Sequence, residues 1–448
     1  MNSNLLILLI ISVIAIILIL NYAYPAIVAP KSSTNCGVNG DCPGTQICQD
    51  GQCTPLTFPS GPTSPTCDCV FGDPVVSAVS PIDTTYLVRT QTGYDGLLYI
   101  LWAASPGTIR KIARYNKDGT PDLTFGIDGA ITITVPVGAN PPGKFIVIDD
   151  GGFAFSNPSS IMWKVDSTGA IDPNFPIVTT GTLYTYQGLV AGRSGDGTFY
   201  YWRGEFPGNL AFEKYTTTGI DLSYGVSGTA THNLAPAYDF DVICVTVDGS
   251  LILPYSVESD NINDIERPAV TKLTPSGAID LTFGVNGTFV AVDFPMYTGP
   301  QNRHCALGSD DSIYFAGYGW TDVTYDFEFV GVVKILANGT LDTSWGAGGY
   351  FTYALDGHVY VEVYNLVVEP CGGIIIPVEA YSSLTLGVVH ILRLDENGIV
   401  RDGFPIVFGP DEYTRWYASN ITGSGEVDDP LYYHLGLQEA GFITFPCQ

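Results

Sequence analysis

The sequence predicts an all-β fold, namely a β-propeller of four-stranded antiparallel blades. Its composition, with 51 Gly and 27 Tyr but only 3 Met, favours strands and tight turns over helices. One turn module recurs six times at intervals of 50 to 62 residues, which is the size of one blade with its loops. A second signal, a Gly or Asp turn followed by an apolar strand, alternates with these modules.

The turn module is clearest at Leu273–Val292, where Asp280 precedes Phe283 by three residues and glycines follow at 284 and 287. A short acceptor in a turn satisfies backbone N–H groups, and the aromatic residue is expected to anchor a core. The six turn glycines are Gly119, Gly169, Gly219, Gly277, Gly339 and Gly398. The aromatic residues that follow them are Phe125, Phe175, Tyr224, Phe283, Trp345 and Phe404.

The second signal predicts one apolar strand between successive modules. These strands are Asp95–Trp102, Gly151–Phe155, Asp196–Trp202, Asp248–Leu253, Asp311–Phe315 and Gly372–Ile376. Six copies predict six blades, and seven is the alternative because 74–92 and 413–446 are also rich in strand-forming residues. In either case, strands from the two ends of the head are expected to share a blade and so close the ring.

The modules resemble the delta-60 repeat, whose pattern is roughly D-G-x-L-D-x-x-F-G-x-x-G, and the first, fourth and fifth copies match it best. The resemblance covers about residues 110–409 and implies a propeller of extracellular type. It names no catalytic residue. Functional residues are therefore expected where the copies differ from one another.

The charge of the chain excludes one class of partner. Its 18 Lys and Arg stand against 45 Asp and Glu, a formal net charge of −27. Such a surface repels phosphate backbones, so no nucleic-acid partner is expected.

The N-terminus predicts a membrane segment. Leu5–Leu20 is apolar except for Ser12, and residues 1–29 are interpreted as a retained transmembrane helix, or otherwise as an uncleaved signal. The membrane contact is expected through residues 5–29, with the C-terminal head in an extracellular, lumenal or virion-exterior oxidising compartment.

Residues 30–53 form a predicted disulfide module, since Gly and Asp supply turns and almost nothing could form a core. The spacing fits zinc poorly, because no CxxC pair or His is present. The segment resembles the small cysteine-rich modules of secreted proteins, and that resemblance implies Cys36–Cys48 and Cys42–Cys53 bonds. Four cysteines by themselves allow three pairings. Residues 54–69 predict a Pro-, Ser- and Thr-rich linker, and 70–448 the propeller.

The remaining cysteines leave alternatives open. A bond from Cys67 or Cys69 to Cys447 would tie the ends of the head together, and the alternative is that they pair elsewhere or stay free. Cys244 and Cys305 lie just before equivalent strands of adjacent blades, so they either bond to each other or are buried thiols.

Three further sets of residues are candidate sites. Asp260, Asn263, Asp264 and Glu266 offer oxygen ligands for Ca²⁺, although the EF-hand pattern is absent and a solvated acidic loop is favoured; no other cofactor is expected. The longest insertions are 256–267, 295–304 and 320–329, and possible ligand contacts within them are Tyr297, Trp320, Tyr325 and Phe327. N-glycosylation sequons occur at Asn286, Asn338 and Asn420.

The function that these observations predict is binding. We expect a membrane-anchored propeller that attaches to a protein or glycan, without catalysis. An uncharged anchor on an acidic, sequon-bearing head would also suit a virion surface protein of a large DNA virus. The alternative is a secreted propeller enzyme, a glycosidase or lyase, with paired carboxylates in the central channel. A structural role in an assembly is a third hypothesis.

Overall fold

The computed structural model describes the strands and the turns that join them. The described residues are 46–49, 52–55, 75–79, 85–93, 97–104, 110–116, 120–133, 135, 144–148, 151–156, 161–173, 175, 178–179, 186–192, 197–204, 209–234, 237–238, 243–258, 266–291, 294, 304–320, 328–355, 360–363, 366–369, 372–383, 386–408 and 440–444. All regular elements among them are strands, so the described chain is all-β. None of it forms a helix that could cross a bilayer.

The chain divides into two compact units, residues 1–65 and 66–448. In the first unit, β1 (Gln46–Gln49) and β2 (Gln52–Pro55) form an antiparallel hairpin in which Cys48 lies opposite Cys53. The predicted anchor at 1–29, together with Cys36 and Cys42, lies outside the described residues.

The second unit contains six sheets of four or five strands, numbered here in chain order. Sheet 1 comprises β4 (Thr85–Thr92), β5 (Leu98–Ala104), β6 (Arg110–Tyr115) and β7 (Ala130–Ile133). Sheet 2 comprises β8 (Lys144–Val147), β9 (Phe153–Ser156), β10 (Ile161–Val165) and β11 (Val178–Thr179). Sheet 3 comprises β12 (Tyr186–Ala191), β13 (Phe199–Gly204), β14 (Asn209–Thr216), β15 (Gly219–Ile220) and β16 (Thr229–Asn233).

The other three sheets repeat this order. Sheet 4 comprises β17 (Ala237–Tyr238), β18 (Cys244–Val245), β19 (Leu251–Glu258), β20 (Glu266–Leu273) and β21 (Thr288–Val290). Sheet 5 comprises β22 (His304–Leu307), β23 (Ile313–Trp320), β24 (Glu328–Ile335) and β25 (Tyr350–Ala354). Sheet 6 comprises β26 (Tyr360–Val363), β27 (Val367–Val368), β28 (Ile374–Ser383), β29 (Leu386–Leu394) and β30 (Ile406–Phe408).

Every sheet is an antiparallel meander, and consecutive sheets contact each other through their first strands. These contacts run from β4 to β8, β8 to β12, β12 to β18, β18 to β22 and β22 to β27. In sheets 4 and 6, two short segments share the position of the first strand. First strands gathered side by side, with the sheets radiating outward from them, are the arrangement of a β-propeller.

The cores lie between consecutive sheets. Between sheets 1 and 2, Tyr99 meets Phe125 and Phe153 edge to face, with ring centroids 5.8 and 5.6 Å apart. Between sheets 5 and 6, Trp345 meets Tyr314 in the same way. Five of the six module aromatics are therefore buried between neighbouring sheets, as expected for core anchors, whereas Phe404 is only partly buried. Apolar burial on both faces of the sheets drives the assembly.

The two ends of the head pair with each other, as the sequence predicted. Strand β3 (Val75–Val79) lies antiparallel to β31 (Ala440–Thr444), with Val75 opposite Thr444. This hydrogen-bonded pair joins the first and last described strands of the unit.

Two turn glycines are required because a neighbouring module approaches closely. A Cβ on Gly339 would lie 2.3 Å from the backbone nitrogen of Gly284, and one on Gly277 would lie 2.7 Å from Cβ of Ala230. Both glycines also have positive φ, +82° and +86°. The turn glycine thus combines a left-handed backbone with packing that leaves no room for a side chain.

We predict that Gly339→Ala lowers the free energy of unfolding by about 3 kcal/mol, because strain at positive φ adds to a backbone clash. Chemical denaturation of the purified protein measures the loss. The matched control is Gly348→Ala, where φ is +72° but nothing lies within 4 Å of the added Cβ, so a loss of about 1 kcal/mol is expected. Equal losses in the two variants would show that close approach does not matter.

Candidate functional site

The aspartate of each module holds its own turn together. Asp280 Oδ1 accepts hydrogen bonds from the backbone N–H and the hydroxyl of Thr282, at 3.1 and 2.6 Å. Its Oδ2 lies 3.7 Å from Nζ of Lys272, on the preceding strand. The hydroxyl of Thr282 is the main cause that holds the pKa of Asp280 below its usual value, against burial and with help from Lys272.

The same ion pair recurs in the first five copies, always from a basic residue eight or seven positions before the aspartate. The pairs are Arg114–Asp122, Lys164–Asp172, Lys214–Asp221, Lys272–Asp280 and Lys334–Asp342. The sequence analysis did not predict this ion pair, although a basic residue seven or eight positions before the aspartate could have indicated it. Lys and Arg, which are scarce in this chain, are thus used in ion pairs that stabilise the repeated turns.

The sixth copy departs from the pattern because Arg401 stands where the others have aspartate. Arg393, the basic residue of this copy, instead binds Glu369 through two nitrogens, Nε at 3.0 Å and Nη2 at 2.6 Å from Oε1. Arg401 lies 3.6 Å from Glu396. The position of the basic residue is kept while its carboxylate partner comes from another turn.

Neighbouring modules are also bonded to each other. The N–H of the glycine after the aromatic residue donates to a carbonyl in the next module, and three such bonds are described: Gly225 to Ser276 (2.9 Å), Gly284 to Asn338 (2.9 Å) and Gly346 to Asn397 (2.7 Å). Aspartate, aromatic and glycines of the module are therefore all engaged in the fold. They are not a ligand loop.

The strand directions separate the two ends of the sheets. The modules, between third and fourth strands, and the turns between first and second strands share one end, here called the module end. The connections between second and third strands, and from one sheet to the next, share the opposite loop end. The predicted insertions 256–267, 295–304 and 320–329 belong to the loop end.

Only two of the predicted contact aromatics and calcium ligands lie within the described residues. Trp320 is the last residue of β23 at the loop end, and Glu266 is the first residue of β20 there. The other predicted residues, Tyr297, Tyr325, Phe327, Asp260, Asn263 and Asp264, lie outside the described residues. Within the described part of the chain, no three His, Cys, Asp or Glu side chains group as metal ligands would.

Cys244 and Cys305 form a disulfide bond, with Cα atoms 6.0 Å apart. Cys244 is in β18 and Cys305 in β22, so the bond joins the first strands of sheets 4 and 5. The remaining cysteines predicted to be bonded, Cys67, Cys69 and Cys447, lie outside the described residues. This covalent link restricts how far the first strands of sheets 4 and 5 can separate.

We predict that a double Cys244→Ser, Cys305→Ser variant loses up to about 4 kcal/mol of unfolding free energy, because the bond closes a loop across a sequence separation of 61 residues. Urea denaturation without reductant measures it. As a control, alkylation of the unreduced, denatured wild type followed by mass spectrometry should leave both thiols unlabelled. Labelling of both would contradict the bond.

The two described sequons lie in turns of adjacent modules. Asn286 is exposed, with φ of +55°, and Asn338 accepts hydrogen bonds on Oδ1 from the N–H and hydroxyl of Thr340. The carbonyl of Asn338 also accepts the inter-module bond from Gly284. Asn420 lies outside the described residues.

One pair of facing carboxyl groups occurs among the described side chains. Glu362 on β26 lies directly opposite Glu379 on β28. Glu379 is 1% exposed and its Oε2 has no hydrogen-bond partner. Burial raises the pKa of Glu379 to about 7; Tyr381 opposes the shift and the charge of Glu362 adds to it. A carboxyl group this deeply buried is a poor contact for a carbohydrate substrate.

We predict that Glu379 makes the protein less stable as pH rises. Its folded pKa lies above the unfolded value of 4.5, so its contribution is full below pH 4.5 and falls by about 3 kcal/mol as pH rises through about 7. Denaturation at several pH values should show that Glu379→Gln removes this fall. Glu362→Gln is the matched control and should shrink the fall without abolishing it. An unchanged pH profile in Glu379→Gln would contradict the assignment.

Comparison with known proteins supports the propeller fold. The family model "Domain of unknown function (DUF5122) beta-propeller" matches residues 107–125, which include β6 and the first module as far as Phe125. No curated protein matches the chain by sequence.

Several solved structures are similar to the chain. The extracellular domains 1-2 of Drosophila Semaphorin 1a are 9% identical, with coverage of 83% of this chain and 88% of that chain and a TM-score of 0.45. YCF48 bound to a D1 peptide is 11% identical over 62% and 71%, with a TM-score of 0.35. Puromycin hydrolase is 12% identical over 78% and 50%, with a TM-score of 0.39. A peptide-bound protein and a hydrolase are both among them, so the likeness assigns no function.

Proposed function

We propose that this protein is an extracellular binding propeller whose loop end contacts a protein or a glycan. The observation that carries the proposal is the difference between the two ends of the sheets. At the module end the repeated Asp, aromatic and Gly residues are engaged in the fold. At the loop end the connections between second and third strands vary in length, from two residues between β28 and β29 to seven between β23 and β24. Variable loops on a rigid scaffold are where binding residues concentrate.

The extracellular placement in this proposal has two supports. The Cys244–Cys305 bond is of the kind that persists in oxidising compartments. The apolar N-terminal sequence would tether the head to a membrane, and glycans at Asn286, Asn338 and Asn420 would belong to the same compartment. A virion surface is one setting that meets these requirements.

The proposal includes a ring of seven blades. Six sheets repeat one strand order, and the separate pairing of β3 with β31 supports a seventh blade shared by the two ends of the head. A ring closed in this way has no open edge strand.

A second candidate function is an enzyme that acts on carbohydrate, and Glu362 with Glu379 is the observation that raises it. A retaining or inverting glycosidase needs two carboxyl groups on either side of an accessible bond. The burial of Glu379 favours binding over this alternative. Hydrolysis of glycoside substrates that Glu362→Gln abolishes would favour the enzyme.

We predict that a loop-end variant loses binding. In the variant, residues 295–303 are replaced by a Gly-Ser linker. Wild type and variant, each as the full chain, are tested for binding to an array of glycans and an array of extracellular proteins. Ligands bound by the wild type should be lost, because the replaced segment joins two sheets at the loop end. Ile127→Ser, an exposed change at the module end, is the control and should retain them. Binding that survives the loop replacement and fails in the control would contradict the proposal.

A further inference from the structure

Five aliphatic side chains are exposed at the module end of sheets 3 and 4. They are Leu222, Val226, Val247, Leu281 and Val285, which are 57% to 82% exposed. We call this group the aliphatic patch. Single exposed aliphatic residues are common, whereas a group of them on neighbouring turns is characteristic of an interaction site.

Backbone contacts join the turns that carry the aliphatic patch. Gly225, next to Val226, donates its N–H to the carbonyl of Ser276 at 2.9 Å. Tyr200 donates its hydroxyl to the carbonyl of Gly249 at 2.9 Å, and a Cβ built on Gly249 would lie 4.0 Å from Pro275. The turn at Val247 and the third and fourth modules therefore form one surface of fixed shape.

The charge of this surface is negative. Its two lysines, Lys214 and Lys272, are paired with Asp221 and Asp280. Asp248, beside Val247, adds a third carboxylate. Burial raises the pKa of Asp248, but hydrogen bonds from Thr246 and Ser250, together with the charge of Lys272, outweigh burial and hold this pKa below its usual value. Asp248 is thus ionised at neutral pH.

We propose that the aliphatic patch docks a segment of a partner protein in which aliphatic side chains alternate with Lys or Arg. The aliphatic side chains of the segment would cover Val226 and Val247, and its cations would face Asp248. Charge favours this occupant, because a second copy of the chain carries a net charge of −27 and anionic lipid headgroups repel the same carboxylates. The aliphatic patch lies at the opposite end of the sheets from the loop-end site, so an experiment can contradict one proposal without contradicting the other.

The test uses the full chain and a short, fluorescently labelled peptide in which Leu and Lys alternate, capped at both termini, with binding followed by anisotropy. Val226→Ser combined with Val247→Ser should weaken the affinity at least about tenfold, since two apolar contacts are removed. Asp248→Asn keeps the Oδ1 acceptor of the turn and should weaken binding about threefold while reducing its dependence on salt.

The matched control is Leu123→Ser combined with Ile127→Ser, which changes two equally exposed module positions in sheet 1 and should leave the affinity unchanged. Equal binding of a peptide in which Ser alternates with Lys, or equal weakening in the control, would overturn the proposal in favour of charge alone. A dimer seen by ultracentrifugation that the Val226→Ser, Val247→Ser variant abolishes would assign the patch to a second copy. Binding to phosphatidylcholine vesicles that the same variant abolishes would assign it to a lipid surface.

Discussion

The ion pair between a strand lysine or arginine and the module aspartate is the interaction on which the repeated architecture depends. In the fourth copy, Lys272 holds Asp280 at the end of a strand, and the same carboxylate fixes the turn through Thr282. This turn directs Phe283 into the core between sheets 4 and 5. Because hydrogen bonds to the ionised carboxylate stabilise it, one residue couples the strand, the turn and the core. This coupling is repeated in sheets 1 to 5, whereas in sheet 6 the basic residue binds Glu369 instead.

The repeated parts of the fold could be predicted from the sequence because their pattern recurs. Most of the side-chain contacts could not. Asp280 and Phe283 were recognisable because copies of them recur at regular intervals, and the structure confirms the core position of the aromatic residue. The lysine partner was missed because the strand that carries it, Glu266–Leu273, was not assigned from the sequence. Glu379 has no sequence signal at all, since its environment depends on which strand pairs with β28.

Six of the 18 Lys and Arg residues of this acidic protein occupy equivalent strand positions. The six strand positions take Arg114, Lys164, Lys214, Lys272, Lys334 and Arg393, and each of the six is paired with a carboxylate. Across the whole chain, 18 Lys and Arg residues offset fewer than half of the 45 Asp and Glu residues, which leaves a formal net charge of −27. The long-range potential of the head is therefore set by its unpaired carboxylates, and it favours cationic partners at either end of the sheets.

The pairing of β3 with β31 fixes the order of events during synthesis. Strand β3 precedes all six sheets in the sequence, whereas its partner Ala440–Thr444 follows all of them. Sheets 1 to 6 can form one after another from local meanders, while β3 has to wait with its backbone groups unpaired. A chain without β31 would leave β3 with an open edge, so the pairing of these two strands is the step that completes the described sheets.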